Sequence, residues 1–455
     1  MVSFSAADTL IIILSFALIL WFGFRVKKSD SLRDAVLSSG ELTLPLFVIV
    51  NVSTWYGGIL GIGEFSYRYG IASWFTQGLP YYIFAIIYAF FLAARIRNEE
   101  LISIPDKFEA AYGPKAAIFA SAVIFLLTNP APYLLMAGGI LSSVTGLGYP
   151  LSMLIMLTML IIQIRRGGFR SNISSDIILF VLMFAGFTAA LIFLIYNYGG
   201  MGFLEKSLPA GHLNLTGGAP PLYILVWYLI GAWTLADPGF YQRVNAAKST
   251  SVAKYGILIS VFFWFLFDFI TNSTGLYIRA ILPDISDPVN AFPQLALILP
   301  EGLKALFIMA MFATVYSTLN GFLLLSGTTF GNDIGGRLIK GGDPRQLFST
   351  GLAAASAIAF AMAALVPSVI DLWYYFGSLC IPPLLIPLLA AYYPAIKISS
   401  SLTLTEMVLT LLTGVTVLIF KLSAENMTWL EPMVAGLLVS FIFRIITAVI
   451  GIIRK

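Results

Sequence analysis

Long apolar runs, separated by short polar segments, dominate the sequence. A transmembrane helix needs roughly 20 consecutive apolar residues, and runs of this kind recur along the whole chain. The pattern predicts an all-α polytopic membrane protein with about 13 transmembrane helices. The predicted spans cover residues 7–25, 44–68, 72–94, 116–143, 149–164, 172–197, 220–241, 253–280, 303–330, 347–366, 369–392, 402–420 and 433–453.

Two of these runs are interrupted near the middle. The first, VIVNVSTWYGGILGIGEF at 48–65, has Asn51, Ser53, Thr54 and two glycines at its centre. The second, WYLIGAWTLADPGFYQR at 227–243, contains Asp237 followed by Pro238 and a glycine. Proline removes a backbone donor and glycine relaxes the chain, so backbone polar groups become free at membrane depth. Such groups are tolerated there only where they face protein or a cavity.

Each interruption opens a block of five predicted spans. Because five is an odd number of crossings, the second block enters the membrane from the side opposite to the first. This is the order of an inverted repeat, whose two discontinuous helices hold solute and ion near the midplane. We therefore expect a 5+5 inverted-repeat core. The two five-helix repeats of this core cover 41–200 and 201–395. An extra N-terminal helix and inner loop at 1–40 precede the core, and two C-terminal helices at 396–455 follow it. The competing interpretation is that glycine and proline only allow close helix packing.

The basic residues predict the orientation, because positively charged loops tend to stay in the cytoplasm. The sequence has 26 lysines and arginines. With the N-terminus outside and the C-terminus cytoplasmic, the predicted outer segments hold only Arg68, Lys206, Arg279, Lys304 and Lys421. Arg444 lies within the last span, and the others, including Arg243, fall in inner segments. The expected location is the plasma or inner membrane of a cell. The net charge of +4 reflects the excess of basic residues in the inner segments, and we expect no nucleic-acid partner.

Composition and motifs argue against an enzyme. The chain is 59% hydrophobic and 11% charged, and Cys380 and His212 are its single cysteine and histidine. It contains no HExxH motif, Cys/His cluster, Walker loop or nucleophile elbow, so a membrane protease, a metalloenzyme and an ATP-driven pump are poorly supported. Polar residues inside the spans then indicate a path or cavity for a solute.

A third segment, MAMFATVYSTLNGFLLLSGTTFGNDI at 309–334, carries a row of oxygen atoms. Thr314, Ser317 and Thr318 stand at i, i+3 and i+4, so their side chains share one helical face. Sodium is a hard cation that takes oxygen ligands, and carbonyls freed in a broken helix would complete its shell. The alternative is that these hydroxyls only bond back to their own helix.

Four segments together resemble the sodium:solute symporters. They are, in order, NVSTWYGGILGIGEFSYRYG, GGFRSNISSDIILF, DPGFYQR and FATVYSTLNGFLLLSGTTFGNDI. The resemblance implies the inverted-repeat fold shared with the neurotransmitter:sodium symporters. It also implies symport of a small solute with sodium as the coupling ion, in a protein that works as a monomer in a lipid bilayer.

The resemblance also implies a sodium site. Carried over residue by residue, its ligands are the main-chain carbonyls of Asn51, Thr54 and Thr314. The hydroxyls of Ser317 and Thr318 complete the set. The first span would then be interrupted because its carbonyls bind the cation.

Asp176 falls where some members of the family hold a second sodium, and it is a candidate for that ion or for a proton. In those members two serines follow in the facing helix, at positions that here are Asn320 and Gly321. The departure favours one sodium per cycle. Alternatively, Asp176 meets the positive end of its own helix dipole or pairs with Arg170.

Candidate solute-binding residues lie in and near the two interruptions. They are Ser53, Trp55, Tyr56, Gly57, Gly58, Tyr81, Asn129, Tyr133, Trp233, Thr234 and Asp237, with Asp268 as a weaker addition. No lysine or arginine lies in the predicted middle of the core spans, which favours a neutral or zwitterionic solute such as an amino acid or a sugar. Two alternatives stay open: a proton-coupled symporter using Asp176, Asp237 or Asp268, and a transporter-like sensor module.

Overall fold

The computed structural model describes residues 4–29, 31–40, 42–99, 101–339, 341–366, 368–423 and 430–453. Of the basic residues that predict the orientation, Lys340, Arg454 and Lys455 lie outside these ranges. The described chain is almost entirely helical and holds no β-strand beyond an isolated bridge between Leu42 and Ala247. The predicted all-α class is confirmed.

The described residues form 23 α-helical segments. They are α1 (Ala6–Phe24), α2 (Leu32–Leu37), α3 (Leu44–Ser53), α4 (Ile59–Tyr69), α5 (Ala72–Gln77), α6 (Leu79–Phe91), α7 (Ala93–Glu99), α8 (Ile104–Tyr112), α9 (Pro114–Leu127), α10 (Ala131–Thr145), α11 (Tyr149–Tyr198), α12 (Met201–Ser207), α13 (Pro221–Gly231), α14 (Trp233–Ala236), α15 (Pro238–Ala246), α16 (Thr250–Ile281), α17 (Ala291–Ile298), α18 (Leu303–Thr328), α19 (Gly336–Leu338), α20 (Pro344–Leu365), α21 (Val369–Tyr392), α22 (Ser400–Ser423) and α23 (Pro432–Ile453). Short 3-10 helices cover Ser38–Gly40, Trp55–Gly58, Pro288–Asn290 and Pro394–Ile396, and a π-helical turn, Thr329–Gly335, joins α18 to α19.

Ten helical segments in the described residues are long and apolar enough to cross a membrane. The pair Ala72–Phe91 and Ala93–Glu99, bent by 52°, adds an eleventh if it counts as one span. The remaining difference of two spans has two sources. The run at 220–241 is divided among α13, α14 and α15, and the runs at 149–164 and 172–197 both fall within α11. The predicted total of about 13 remains a prediction.

The long helix α11 turns back on itself near its middle. Gly168 has φ +52°, a left-handed conformation that suits glycine, and the side-chain amide of Gln163 donates a hydrogen bond of 3.0 Å to the hydroxyl of Ser175. Residues twelve apart in a straight helix would be separated by about 18 Å. The contact therefore shows that α11 consists of two limbs, which correspond to the two predicted spans.

The first discontinuous helix consists of α3, the 3-10 turn Trp55–Gly58 and α4. Tyr56 leaves the helical region, with φ −90° and ψ 21°. Both limbs are deeply buried, so this irregular backbone faces protein and a cavity, as the sequence predicts.

The second discontinuous helix consists of α13, α14 and α15, and Asp237 interrupts it with extended backbone at ψ 118°. Pro238 starts α15, where its missing N–H is harmless. The amide of Leu42, before α3, donates to the carbonyl of Ala246 at the end of α15 at 2.9 Å. The start of one broken helix thus lies beside the end of the other, as in an inverted repeat.

The helix α18 lies at the centre of the protein. Its span, continued to Leu338, is the most deeply buried of the ten, whereas α22 and α23 are among the most exposed. This places the segment of Thr314, Ser317 and Thr318 in the interior, against the first broken helix.

Candidate sodium and solute site

The break that follows α3 lies against the hydroxyl-bearing face of α18. The hydroxyl of Thr318 donates a hydrogen bond of 2.6 Å to the carbonyl oxygen of Thr54 and a longer one of 3.2 Å to the carbonyl of Thr314. The hydroxyls of Ser317 and Thr54 are 3.4 Å apart. The break thus presents a carbonyl and a hydroxyl to two hydroxyls of the facing helix.

Asp176, on α11, joins this group from a third helix. The hydroxyl of Ser317 donates a hydrogen bond of 2.6 Å to its Oδ1 atom, and the hydroxyl of Ser53 lies 3.4 Å from its main-chain oxygen. Arg170 instead pairs with Asp34, at 3.0 Å. The ion pair between Asp176 and Arg170, one of the alternatives from the sequence, is therefore not found.

Several buried polar atoms near this group have no hydrogen-bond partner among the described residues. They include Oδ2 of Asp176, both side-chain polar atoms of Asn51 and Oδ1 of Asn320. A buried polar atom without a partner costs about 1 to 3 kcal/mol. Carbonyl, hydroxyl and carboxylate oxygens are the ligands of hard cations. The donor set therefore fits sodium.

The five residues predicted as sodium ligands differ in how directly they take part. Thr54, Ser317 and Thr318 contact one another. The carbonyl of Thr314 accepts the longer hydrogen bond from Thr318, whereas its hydroxyl donates to the carbonyl of Met311 at 2.7 Å. Asn51 lies three residues before Thr54 on the same helix, at a spacing that places both near one face.

A cavity of about 890 Å³, counted with its open mouth, adjoins the oxygen cluster. It is lined by Thr54, Trp55, Tyr56, Gly58, Ile62, Gln77, Tyr81, Tyr133, Trp227, Ile230, Trp233, Asp237, Arg243, Asp268, Phe322 and Trp373. Both discontinuous helices contribute to this set, so the two breaks share one cavity.

Aromatic side chains form much of the cavity wall. The ring of Trp55 stacks on Trp264 with centroids 4.6 Å apart, and it meets Tyr81 edge-on at 5.2 Å. Tyr133 lies against Phe322, with ring centroids 4.9 Å apart. Each ring is held by another ring, which fixes the wall and leaves ring faces and edges for an apolar or cyclic group.

Asp237 and Arg243 bring opposite charges into the cavity. Asp237 caps α15, accepting from the amide of Phe240 at 2.6 Å and from the indole of Trp233 at 3.1 Å. A guanidinium nitrogen of Arg243 lies 3.9 Å from Oδ1 of Asp237, and Arg243 is only 4% exposed. The sequence predicts no arginine in the middle of the core spans, but the structure places Arg243, from beyond the predicted span, in the cavity wall. The helix restarts at Pro238 and carries Arg243, predicted in an inner loop, back to the cavity.

Asp268 is a second buried carboxylate in the cavity wall. It lies on α16 and accepts a hydrogen bond from the hydroxyl of Tyr82. No basic residue of the described chain forms an ion pair with it. It can therefore accept a hydrogen bond from a cationic group.

Not all predicted solute-binding residues line this cavity. Trp55, Tyr56, Gly58, Tyr81, Tyr133, Trp233, Asp237 and Asp268 do. Four others do not line it. Ser53 faces Asp176, and Gly57 packs on Thr318. The side chain of Asn129 accepts from the amide of Ala131, and the hydroxyl of Thr234 donates to the carbonyl of Gly231.

Sequence reasoning missed Ile62, Gln77, Trp227, Ile230, Arg243, Phe322 and Trp373. Phe322 follows Thr318 by four residues, so the hydroxyl-bearing face of α18 already pointed to it. Trp373 and Gln77 lie on α21 and α5, where the sequence carried no comparable signal.

The match to known families extends over most of the chain. A sequence model described as "Sodium:solute symporter family" matches residues 47–374, which include both broken helices and the face of α18. The chain belongs to the sodium:solute symporter family. This confirms the resemblance found in the sequence. The family is one of transporters rather than enzymes, with sodium as its coupling ion.

Curated relatives are distant. The Sodium/pantothenate symporter of Escherichia coli (strain K12) is 23% identical over 293 residues, 59% of this chain and 59% of that protein. The Sodium/glucose cotransporter of Vibrio parahaemolyticus is 23% identical over 312 residues, 60% of this chain and 57% of that protein. The chain thus spans about three fifths of the length of the curated relatives it matches.

Solved structures share the fold. A Na+-coupled sialic acid symporter in a substrate-bound outward-open state matches with a TM-score of 0.81 at 17% identity, over 98% of both chains. A nucleobase-cation-symport-1 family transporter, closed around bromovinylhydantoin, matches with a TM-score of 0.60 at 13% identity, over 90% of this chain and 92% of that one. The predicted fold class is confirmed.

Proposed function

We propose that this protein is a sodium-coupled symporter that moves a small organic solute across a membrane by alternating access. The observation that carries the proposal concerns Thr54. Its carbonyl accepts the hydrogen bond from Thr318 in the oxygen cluster, and the same residue lines the cavity. One residue in a helix break therefore touches both candidate sites, which allows binding at one site to change affinity at the other.

The proposed sodium ligands are the carbonyls of Asn51, Thr54 and Thr314 and the hydroxyls of Ser317 and Thr318. When sodium binds, Thr318 would turn a lone pair to the ion and release the Thr54 carbonyl to do the same. Ligands from α3 and α18 would then be held together. Sodium would thereby favour one arrangement of the broken helix, which is the task of a coupling ion.

The solute we favour is a small zwitterion such as an amino acid. Asp237 and Arg243 place a carboxylate and a guanidinium side by side in the cavity. A zwitterion offers an ammonium to the first and a carboxylate to the second, so both charges of the solute gain a charge-assisted hydrogen bond. Asp268 supplies a further acceptor. The names of the relatives, which specify pantothenate, glucose and sialic acid, do not decide among solutes.

Proton coupling is the second candidate mechanism. It is favoured by one observation, the buried Oδ2 atom of Asp176 that has no partner among the described residues. That atom could hold a proton where other symporters of this fold hold a cation. We further propose that the N-terminus lies outside the membrane and that the protein works as a monomer. The two inverted repeats would cover residues 41–200 and 201–395.

The full chain in detergent, and then in proteoliposomes, provides the test. Amino acids and sugars are screened for thermal stabilisation in sodium chloride and in choline chloride, since a ligand that binds the folded state raises its stability. We expect stabilisation by a zwitterion that strengthens with sodium, and uptake driven by a sodium gradient at fixed pH. Uptake that follows a pH gradient and ignores sodium would replace the sodium mechanism with the proton mechanism.

A further inference from the structure

A second cavity, of about 1790 Å³ counted with its open mouth, is lined by basic side chains. The residues that form this basic pocket are Arg25, Lys27, Lys28, Arg165, Arg166 and Arg345. No acidic residue lines it within the described part of the chain. Asp30, between Ser29 and Ser31 in the sequence, lies outside the described residues.

Three segments that are distant in sequence build the basic pocket. They are the chain that follows α1, the turn at the middle of α11 and the first turns of α20. The amide of Ser29 donates a hydrogen bond of 3.2 Å to the carbonyl of Arg166, which fixes the first segment against the second. The buried ring of Phe348 adds an apolar part from the third. The site is therefore shaped by main chain as well as by flexible side chains.

Five of the six basic residues of the pocket form no ion pair within the described part of the chain. Among the ion pairs of the described residues, none includes Arg25, Lys27, Lys28, Arg165 or Arg166. The hydroxyl oxygen of Ser29 in the same wall is buried and has no hydrogen-bond partner among these residues. Like charges that share a concave surface repel one another, so an anion bound there is stabilised.

The pocket lies where apolar helices end. Arg25 is the C-cap of α1, and its guanidinium lies 4.7 Å from the ring of Trp21, which is 57% exposed. Ile162, itself part of the lining, is 55% exposed. Exposed tryptophan beside basic residues is typical of the level of lipid headgroups. The wall thus combines cationic donors with apolar surface that continues along the spans.

We propose that the basic pocket binds the phosphate group of an anionic phospholipid, with the acyl chains beside Trp21 and Ile162. Guanidinium and ammonium groups recognise phosphate by charge-assisted hydrogen bonds, and basic pockets between membrane helices suit anionic headgroups. A free phosphate ion shares the headgroup chemistry but gains nothing from the apolar wall. A bound lipid would tie α1 and the start of α20 to the turn of α11.

The test uses the full chain in a neutral detergent, to which phosphatidylglycerol or phosphatidylcholine is added at constant ionic strength. Thermal unfolding is followed as lipid is titrated. We expect phosphatidylglycerol to stabilise the protein more than phosphatidylcholine. In the double variant R165Q/R166Q, the concentration for half of this effect should rise about tenfold. The matched control K115Q/K248Q removes two exposed charges outside the pocket, in segments also predicted to be cytoplasmic, and should behave as the wild type.

Three results would overturn the proposal. They are an absent preference for phosphatidylglycerol in the wild type, an equal loss in the control variant, and full stabilisation by inorganic phosphate without lipid. The last would identify a free-phosphate site instead. If R165Q/R166Q does not fold, K27Q/K28Q in the segment that follows α1 should show the same weakened response. An unchanged response there would also contradict the assignment.

Discussion

Thr318 and Thr54 lie 264 residues apart in sequence, yet the hydroxyl of the first donates a 2.6 Å hydrogen bond to the carbonyl of the second. The bond joins α18 to the break of the first discontinuous helix. A cation bound at the proposed site would use lone pairs of the same two oxygens. The ion would then compete with this hydrogen bond for the Thr54 carbonyl, and the bound and unbound states would hold the broken helix by different contacts.

Removing either hydroxyl of the pair Ser317 and Thr318 should weaken sodium binding. We expect Ser317→Ala and Thr318→Ala each to cost about 1 to 3 kcal/mol, the value of a lost polar partner in a buried site. This corresponds to a rise of roughly 5- to 150-fold in the sodium concentration for half-maximal response. The measurement is sodium-induced thermal stabilisation of the purified variants, followed by uptake at varied sodium.

Thr328→Ala is the matched control for this prediction. Thr328 lies on the same helix and is equally buried, but its hydroxyl donates to the carbonyl of Leu324 within that helix, at 2.8 Å. Its sodium response should stay that of the wild type. A weakened response in the control, or an unchanged one in both test variants, would remove the hydroxyls of Ser317 and Thr318 from the proposed site.

The discontinuous helices could be predicted because their cause is local. Proline at 238 and the glycines after Thr54 leave backbone groups without partners, and that chemistry is visible in a single sequence. The shared face of Thr314, Ser317 and Thr318 was visible for the same reason, since spacing alone determines it. Contacts between α18 and the break then follow from the fold.

Arg243 shows what the sequence could not reveal. It follows the predicted end of a span, where a basic residue normally lies at the membrane surface. Its burial depends on the angle at which α15 leaves Asp237, and that angle is set by packing against other helices. The cavity residues Trp373 and Gln77 were missed for a similar reason, because aromatic and polar residues on separate spans meet only in three dimensions.

Replacing Arg243 should affect stability and solute binding separately. In Arg243→Gln the buried carboxylate of Asp237 loses its cationic neighbour, which costs about 3 to 5 kcal/mol. The double variant D237N/R243Q removes both charges and should recover most of that stability. It should still lose the response to a zwitterionic solute. Thermal unfolding with and without solute measures both effects, and a double variant that binds the solute normally would contradict the proposed solute class.

The only histidine of the chain provides a test of pH dependence. His212 lies in the loop between α12 and α13, where its carbonyl accepts from the amide of Ile71 at 2.8 Å. Burial lowers the pKa of His212, because the charged ring would lose water. Because the pKa of His212 is lower in the folded protein than in the unfolded chain, the folded state favours the neutral ring. The folded state is therefore most stable, as far as His212 is concerned, above the unfolded pKa of about 6.5, and it loses this stability as the pH falls below that value. His212→Gln should flatten the thermal stability profile between about pH 5 and 8, and an unchanged slope would contradict this.

The stoichiometry of coupling tests the role of Asp176. Its Oδ1 accepts from Ser317, and the positions of the two further hydroxyls in some relatives are Asn320 and Gly321. We therefore expect one sodium per solute, measured as a reversal potential in proteoliposomes. Asp176→Asn keeps an acceptor for Ser317 and should lower sodium affinity while uptake remains sodium-driven. A ratio of two sodium ions to one solute would assign a second ion to Asp176. An Asp176→Asn variant that loses only the pH dependence of uptake would assign a proton to it.

Two adjacent glycines lie between the proposed sodium site and the cavity proposed for the solute. A Cβ atom at Gly57 would overlap the side chain of Thr318, whereas one at Gly58 would overlap the indole of Trp373 in the cavity wall. Neither glycine has a positive φ, so alanine fits the backbone and only the space differs. Gly57→Ala should therefore weaken the sodium response, and Gly58→Ala should weaken the solute response while sodium still binds.

The two responses are read on the same purified variants, as stabilisation by sodium alone and by solute in saturating sodium. Gly139→Ala serves as the control, since its added carbon would meet Tyr149 at an ordinary 3.6 Å. If both variants lose both responses and unfold at lower temperature, the glycines serve close packing alone, as the competing interpretation of the interrupted span holds. If instead Gly57→Ala loses only the sodium response and Gly58→Ala loses only the solute response, adjacent residues of the break face different ligands. Gly57 then faces the ion and Gly58 faces the solute.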